Sequence, residues 1–308
     1  MTTTSVAILM CTYNGQSYLS EQLESFTKQT HQNWQLWVSD DGSEDETLAM
    51  LDEYRVQHSP KHISILNGPQ QGSTKNFFSL VCHEEIEADY FAYSDQDDIW
   101  DNDKLERGLK LLEKLPKEIP SLYCSRTRLV DEKNNIIGFS PLFTKPPNFA
   151  NALTQNIGGG NTMVFNKKAR EILIVTSENS PNQNHDWWTY LVISAVGGNV
   201  IYDPNPTISY RQHSNNQVGM NSSFSARLKR IYFLLKGQYK IWNDNHLRAL
   251  AKYKDLLPNE NLCVLDKFTK ARKTPLFERI KLCKSSGIYR QTFFGNLGLL
   301  LGIILNKV

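Results

Sequence analysis

Three carboxylates crowd into four residues directly after an apolar segment of this chain. Asp95, Asp97 and Asp98 follow residues 90–93, Tyr-Phe-Ala-Tyr, which have the composition of a buried strand. Like charges at a strand end repel one another, and burying them unpaired would be very costly. A hard divalent cation suits such oxygen ligands and keeps open positions for phosphate oxygens. The spacing therefore predicts chemistry on a phosphorylated substrate.

Three other phosphate- or metal-binding motifs are excluded by the residues present. A dinucleotide-binding turn would need GxGxxG after the first strand, but residues 11–15, Cys-Thr-Tyr-Asn-Gly, contain one glycine. No Walker motif occurs in the chain. A calcium-binding loop starting at Asp95 would need glycine at its sixth position, where Trp100 stands.

The first hundred residues alternate predicted strands and helices. Apolar runs predict strands at 6–10, 35–38, 63–66 and 90–93. Helices are predicted at 16–29, from an N-cap at Ser43 through Tyr54, and at 73–85. This order implies a parallel sheet, in which ligands bind at the carboxyl ends of the strands. Tyr13-Asn14, Asp40-Asp41 and the acidic run all follow strands, so we expect them to share one site. Ser43 and Glu46 have the spacing of a capping box for the second helix.

The second part of the chain is less regular. A hairpin over residues 121–139 is predicted to turn at 131–135, and residues 156–160 form a glycine-rich loop before a strand. Residues 185–195 predict a helix, and residues 199–202 and 207–210 predict short strands. From residue 225 onward the pattern is helical and basic.

Composition sets the class of protein. The 308 residues are 40% hydrophobic and 21% charged, which allows one large domain with an appendage and excludes global disorder. Five scattered cysteines without metal-binding spacing, and a start that lacks signal-peptide features, predict a cytoplasmic protein. Residues 1–224 carry 17 Lys and Arg against 27 Asp and Glu, whereas residues 225–308 carry 17 against 5. An acidic body followed by a basic tail gives information about binding partners and not about the fold.

Three motifs in order resemble glycosyltransferase family 2, whose members have the GT-A fold. They are Thr12-Tyr13-Asn14, residues 40–43 (Asp-Asp-Gly-Ser) and residues 95–98 (Asp-Gln-Asp-Asp). Residues 95–100, 185–188 (His-Asp-Trp-Trp) and 210–213 (Tyr-Arg-Gln-His) are most similar to bacterial rhamnosyltransferases of surface polysaccharide assembly. The resemblance covers about residues 4–215.

The resemblance implies an α/β architecture, with a Rossmann-like, mostly parallel central sheet flanked by helices. The catalytic domain would span residues 1–220, with a nucleotide-binding half over about 1–120 and an acceptor-binding half over 121–220. A helical, basic region over 221–308 would follow.

The implied activity is inverting transfer of a sugar from a nucleotide diphosphate sugar, dTDP-L-rhamnose, to a hydroxyl of a lipid-linked saccharide. The acceptor would belong to O-antigen, capsule or cell-wall polysaccharide assembly. A UDP-hexose transferase of the same family is one alternative, and a non-catalytic saccharide- or lipid-binding module is another.

The residues implied to bind the donor follow the predicted strands: Thr12, Tyr13, Asn14, Asp41, Asp95, Gln96 and Arg211. Asp41 would accept the N3–H of uracil or thymine, and Tyr13 would pack near the base. Mn²⁺ or Mg²⁺ would be held by Asp97, Asp95 and His213. Without the resemblance, residues 40–43 are equally consistent with a capped turn, and His213 with a surface histidine. An exposed acidic turn that caps the next helix is the alternative for residues 95–98, but it does not explain why they cluster at a strand end.

Asp186 is implied to be the general base that removes the proton of the acceptor hydroxyl. The acceptor would also meet Gly159, Gly160, His185, Trp187 and Trp188, with the tryptophans stacking on sugar faces. An N-cap aspartate followed by core aromatics is the alternative. Many family members have Glu-Asp where this chain has His185-Asp186, so the role of His185 stays open.

The basic tail predicts a membrane surface as partner. Basic residues flank the apolar residues 231–235 (Arg227, Lys229, Arg230, Lys236 and Lys240), and others precede residues 292–305 (Arg279, Lys281, Lys284 and Arg290). The last run is shorter than the ~20 apolar residues that a span needs. It predicts an interfacial helix and a peripheral position on the cytoplasmic face of the inner membrane. A packed appendage or a homodimer interface is the alternative, and nucleic acid is not an expected partner.

Overall fold

The computed structural model describes residues 4–181, 184–213 and 232–308. Its strands are β1 (Val6–Thr12), β2 (Trp34–Asp40), β3 (Ile63–Asn67), β4 (Tyr90–Ser94), β5 (Ile99–Trp100), β6 (Ser121–Ser125), β7 (Arg128–Val130), β8 (Ile136–Phe139), β9 (Val164–Asn166), β10 (Asn199–Asp203) and β11 (Ile208–Arg211). Its helices are α1 (Leu19–Thr27), α2 (Thr47–Gln57), α3 (Ser73–Cys82), α4 (Lys104–Leu112), α5 (Phe149–Ala152), α6 (Lys167–Ser177), α7 (His185–Ala195), α8 (Gln238–Leu250), α9 (Asn259–Ala271), α10 (Leu276–Ser286) and α11 (Phe293–Ile304).

The larger sheet has the order β10-β6-β9-β4-β1-β2-β3. Strand β1 pairs in parallel with β2 and β4, while β9 runs antiparallel to β4 and β6. Every residue of β1 and β4 is buried, because helices cover both faces of a parallel sheet. The mostly parallel sheet flanked by helices is confirmed, and its order places the carboxyl ends of β4, β1 and β2 side by side.

A smaller sheet, in the order β5-β11-β7-β8, returns the chain to the acidic loop. Ile208 of β11 lies opposite Trp100 of β5, in antiparallel pairing. Residues 212–213 therefore emerge next to residues 95–98, which precede β5. The hairpin predicted over residues 121–139 is confirmed only for β7 and β8, with its turn at 131–135, because residues 121–125 form β6 of the larger sheet.

The C-terminal helices contribute to the same hydrophobic core as α7. Leu250 of α8, Phe268 of α9 and Ile303 of α11 belong to one cluster with Trp187 and Trp188. Within the described ranges, no helix combines the length and the apolar character needed to cross a bilayer. The predicted basic residues Arg227, Lys229 and Arg230 lie outside the described residues.

The predicted capping box does not form. Helix α2 begins at Thr47, whose backbone N–H donates to Oδ1 of Asp45. The Ser43 hydroxyl donates instead to Asp40, at 2.6 Å. Ser43 fastens the turn after β2 because a buried carboxylate is the stronger acceptor within its reach.

Candidate active site

The end of β2 holds two neighbouring aspartates with different surroundings. The buried Asp40 carboxylate accepts hydrogen bonds from the hydroxyl of Thr12 at 2.7 Å and from the backbone N–H of Ser43 at 2.7 Å. The partly exposed Asp41 accepts from the backbone N–H groups of Gln70 at 2.6 Å and Gly72 at 3.0 Å. Thr12 thus orients Asp40 from a buried position, while Asp41 lies at the edge of the site.

Gln96 clamps the backbone of Tyr13. Its Oε1 accepts from the Tyr13 N–H at 2.8 Å, and its Nε2 donates to the Tyr13 carbonyl at 2.9 Å. The clamp passes so close to Gly15 that a Cβ there would lie 2.3 Å from Oε1. The Tyr13 side chain is 59% exposed, so its ring is open to a ligand while its backbone is fixed.

Asn14 joins the first two strand ends. Its backbone has a positive φ of 48°, its N–H donates to Ser43 Oγ at 2.8 Å, and its Oδ1 accepts from the Glu44 N–H at 2.9 Å. Asparagine tolerates this left-handed conformation better than most residues. Together with the Gln96 clamp, these bonds bring the three sequence motifs into one site.

Asp97 is paired with His213. The Nε2 atom of His213 lies 2.8 Å from Oδ2 of Asp97, and its ring centroid lies 4.9 Å from that of Tyr18. The short β5–β11 pairing makes this contact possible across more than a hundred residues. His213 therefore lies where it was predicted to lie, beside the acidic loop.

Arg211 has a different position from the one expected of a diphosphate ligand. Its side chain is fully buried. The Nε–H donates to the Asp97 carbonyl at 3.1 Å. The other guanidinium nitrogens donate to the Glu132 carbonyl at 3.1 Å and to Oε2 of Glu21 at 2.8 Å. A guanidinium held by these protein groups and stacked over Tyr18 holds the acidic loop in place. The prediction that Arg211 contacts the diphosphate is not supported by this geometry.

Negative charge at this edge exceeds the positive charge that faces it. Burial, together with the charges of the nearby Asp97 and Asp186, raises the pKa of Asp95 to about 8. Burial also raises the pKa of Asp98 well above its usual range, although Asn161 donates to its carboxylate. Among the described residues, no group of three His, Cys, Asp or Glu side chains could hold a metal ion alone. The surplus of carboxylates fits a cation whose remaining ligands come from a substrate.

Beneath this loop lies a buried ammonium that sequence spacing did not reveal. Lys104, the first residue of α4, is fully buried, with Nζ 3.6 Å from the centroid of the Trp100 ring. Burial lowers its pKa to about 7, and the charge of Asp98 opposes that change. Lysine is rarely buried without a partner, and a cation over an indole face is one of the few stable arrangements.

Asp186 is the second residue of α7, on the other side of the site. Its carboxylate is half-buried and accepts from the backbone N–H of Trp187 at 2.6 Å. Burial raises its pKa to about 6, while hydrogen bonds from Trp187, the Asn156 side chain and the Gly160 backbone hold the pKa lower than burial alone would. A carboxylate with this pKa is mostly ionised at neutral pH and can still accept a proton.

His185 lies under the glycine-rich loop. Its ring stacks on Phe77 at a centroid distance of 3.8 Å and meets Tyr93 edge-on at 5.0 Å. A Cβ on Gly160 would lie 2.2 Å from its Nε2 atom, so only glycine fits there without movement. Burial lowers the pKa of His185 to about 3, which keeps the imidazole neutral. Gly159 is more open than Gly160 and precedes the short helical turn Gly160–Thr162.

The two tryptophans after Asp186 face the core. Trp188 is 0% exposed, and Nε1 of Trp187 donates to the Ala152 carbonyl at 2.8 Å. His246 of α8 packs on both, with its ring centroid 4.6 Å from that of Trp187. The prediction that these rings stack on an acceptor sugar is contradicted for Trp188, since a fully buried ring has no surface to offer. The two adjacent tryptophans pack in the core behind Asp186.

Comparison with known proteins gives a consistent assignment. The sequence model of Glycosyl transferase family 2 matches residues 7–173. A dTDP-rhamnosyl transferase, RfbG, of Shigella flexneri is 32% identical over 245 residues, covering 75% of this chain and 81% of the relative. An uncharacterized glycosyltransferase of Haemophilus influenzae is 26% identical over 293 residues, covering 89% of this chain and 84% of the relative.

Solved structures share the fold at low sequence identity. S. aureus TarS residues 1–349, in complex with UDP-GlcNAc, superpose with a TM-score of 0.54 at 14% identity, covering 92% of this chain and 93% of that one. The mannosyltransferase PcManGT from Pyrobaculum calidifontis, in complex with GDP-Man and Mn²⁺, gives 0.54 at 14% identity, covering 99% and 86%. These are GT-A glycosyltransferases. With its motifs at the expected strand ends and a family match over more than half its length, this chain belongs to glycosyl transferase family 2.

Proposed function

We propose that this protein is an inverting rhamnosyltransferase, which transfers L-rhamnose from dTDP-L-rhamnose to a hydroxyl of a lipid-linked saccharide in O-antigen, capsule or cell-wall polysaccharide assembly. The observation that carries the proposal is that the acidic loop of residues 95–98 and the Asp186 carboxylate of α7 belong to one site. Asn161 donates a hydrogen bond to Asp98 of the acidic loop, and the backbone of the adjacent Gly160 binds the Asp186 carboxylate, so one turn of chain joins the two groups. The similarity to RfbG supports rhamnose as the sugar.

The donor nucleotide binds at the ends of β1 and β2 in this proposal. The exposed ring of Tyr13 packs on the base, and Asp41 accepts the N3–H of thymine or uracil with the oxygen lone pairs that its two backbone donors leave available. Thr12, Asn14 and Gln96 hold these two residues in position. The Tyr13 backbone and the Asp41 carboxylate are therefore fixed before the donor arrives, which reduces the entropy lost on binding.

Asp97 and Asp95 would hold Mn²⁺ or Mg²⁺, with His213 fixing the orientation of Asp97. The cation, when bound, neutralises charge that develops on the departing diphosphate. A complex of the structural neighbour PcManGT with GDP-Man and Mn²⁺ supports a divalent cation for this fold. The surplus of buried carboxylates is the property of this chain that supports it independently.

Asp186 would act as the general base for the acceptor. The acceptor hydroxyl donates its hydrogen bond to the carboxylate, and Asn156 and Gly160 keep that carboxylate aimed. The acceptor oxygen then forms a bond to the anomeric carbon as the bond to the diphosphate oxygen breaks, and the proton passes to Asp186. Attack opposite the leaving group inverts the anomeric configuration. Positioned proton transfer of this kind contributes ~10²–10⁴-fold in rate.

A donor panel with product analysis tests this function. The purified protein is given dTDP-L-rhamnose, UDP-glucose, UDP-galactose and UDP-GlcNAc, with Mn²⁺, Mg²⁺ or a chelator, and a membrane extract as the source of acceptor. We expect transfer from dTDP-L-rhamnose with inversion, and loss of transfer with the chelator. Transfer from a UDP-hexose alone would refute rhamnose and leave the glycosyltransferase assignment standing. Binding of sugars without any transfer would favour a non-catalytic module.

A further inference from the structure

The last helix presents an apolar face to solvent. Phe293 and Phe294 in its first turn are 79% and 78% exposed. Further exposed apolar residues follow at helical spacing, namely Leu297, Leu300, Leu301 and Ile304. Side chains at these intervals form one continuous stripe along a helix. We call this stripe the outer face of α11.

The opposite face of α11 is packed on the protein. Leu299, Gly302 and Ile303 are buried, and a Cβ on Gly302 would lie 2.5 Å from Val308 and 3.1 Å from Leu234. The Arg279 guanidinium donates to the Ile303 carbonyl at 3.0 Å, near the end of the helix. The helix is therefore seated firmly by one side, and the outer face is a fixed surface of the fold.

The part of the chain that contains α11 is basic. Residues 293–306 contain no charged side chain, whereas residues 267–308 as a whole carry nine Lys and Arg against the single Glu278. Lys281 and Lys284 are exposed on the preceding helix, α10. Arg290 lies against the first turn of α11, since a Cβ on Gly295 would be 3.1 Å from the Arg290 Cβ. An uncharged apolar stripe within a basic segment, with Arg290 at its first turn, is complementary to acyl chains beneath anionic headgroups.

We propose that the outer face of α11 inserts into the interfacial region of an anionic lipid bilayer, with the helix lying in the membrane plane. Its twelve residues span about 18 Å, which is too short to cross a hydrocarbon core of ~30 Å. Exposed aromatic residues at one end suit the boundary between headgroups and acyl chains. This inference deepens the proposed function by naming the surface that meets the membrane.

The start of α11 is fastened to the acceptor side of the site. The backbone N–H of Gln291 donates to Oε1 of Gln155 at 2.9 Å, and the Thr154 hydroxyl donates to the Tyr289 carbonyl at 2.7 Å. The next residue along that segment is Asn156, whose side chain binds the Asp186 carboxylate. A membrane that receives α11 would therefore be held in a fixed relation to the proposed base, and a lipid-linked acceptor would reach the site from that surface.

Vesicle flotation tests the inference without any need for activity. The full-length protein is mixed with vesicles of phosphatidylcholine alone or with added phosphatidylglycerol. We expect binding to the anionic vesicles that weakens as salt rises, and a loss of about ten-fold or more in the F293S/F294S double variant. The matched control is V56S/I136S, which removes two exposed apolar side chains from α2 and β8 and should bind as the wild type does.

Several results would overturn the inference. They are the absence of wild-type binding to anionic vesicles, and equal binding by F293S/F294S. A wild-type dimer that F293S/F294S converts to a monomer in sedimentation, without vesicle binding, would make the face a contact between two copies of this chain. Hydrogen exchange tests the inference on the wild-type protein, without any substitution. We expect the α11 amides to exchange more slowly when anionic vesicles are present. Unchanged exchange would contradict the inference.

The failure of this inference is distinguishable from failure of the proposed function. Vesicle binding with no sugar transfer from any donor would retain the membrane surface and reject the rhamnosyltransferase. Transfer to a short water-soluble acceptor should be equal in F293S/F294S and in the wild type, since the outer face of α11 contacts none of the proposed site residues.

Discussion

The two sides of the candidate site are built by different interactions. On the donor side, Thr12, Asn14, Gln96 and Asp97 are positioned through hydrogen bonds that cross from one strand end to the next. On the acceptor side, the ring of His185 is positioned by packing, under a loop where a side chain on Gly160 would not fit. The donor side therefore depends on charge and polar partners, whereas the acceptor side depends on shape around His185 as well as on the hydrogen bonds that hold Asp186. Variants of the two sides should fail in different ways.

The largest loss is expected on the acceptor side, from Asp186→Asn. The amide cannot accept the acceptor proton, so transfer should fall by ~10²–10⁴-fold while dTDP binding measured by calorimetry stays within about two-fold. Asn156→Ala is the matched control, because it removes one hydrogen bond from the carboxylate and should cost much less. Retained turnover in Asp186→Asn would show that another group takes the proton.

The donor side should respond next, through Asp97→Ala. Without this carboxylate we expect transfer to fall by more than about 100-fold, and the increase in dTDP affinity caused by Mn²⁺ to disappear. His213→Gln should lose about 10–100-fold, as is usual for a residue that orients a metal ligand. Titration calorimetry with and without Mn²⁺ measures both. Affinity that still responds to Mn²⁺ in Asp97→Ala would place the cation elsewhere.

Shape on the acceptor side can be tested with Gly160→Ala. The new Cβ would meet Nε2 of His185 at 2.2 Å, so we expect kcat to fall by about 10-fold and stability by about 1–3 kcal/mol. Adding His185→Ala makes room for the methyl group and should recover part of both losses. Gly298→Ala is the control, because its Cβ would meet nothing within 4 Å. A double variant worse than the sum of the singles would contradict a steric cause.

The pH dependence separates the two sides further. Because the raised pKa of Asp186 is about 6, the base is protonated and inactive below that pH. At saturating Mn²⁺ and donor, kcat should therefore fall about ten-fold per pH unit below pH 6 and level off above it. The donor affinity measured over the same range provides the comparison. A flat kcat between pH 5 and 7 would be inconsistent with Asp186 as the base.

The smallest effect is expected from Gln96→Ala. It removes two hydrogen bonds to the Tyr13 backbone, each worth about 0.5–1.5 kcal/mol, so the KM for the donor should rise about ten-fold with kcat nearly unchanged. Gln57→Ala, which removes an exposed hydrogen bond to Glu53 on α2, is the control. A change in kcat alone would mean that Gln96 acts on the acceptor side.

The parts of this site that depend on local pattern could be predicted from the sequence. Apolar runs placed β1, β2 and β4, and the parallel order required their carboxyl ends to meet. Residues whose environment depends on distant partners were harder to place. Arg211 is buried by Glu21 and Glu132, which lie far away in the chain, and Trp188 is covered by α8. Neither partnership leaves a signal in local spacing, which is also why Lys104 was missed.

The packing of His246 on Trp187 connects the helix of the proposed base to the C-terminal helices. The helix that carries the proposed base rests on a ring supplied by residues well beyond position 220. A shortened protein that ended at that position would lose the contacts of His246 with Trp187 and Trp188, which follow the proposed base directly. We therefore expect truncation to damage catalysis directly, and the tail to be inherited together with the enzyme instead of being exchanged as a detachable anchor.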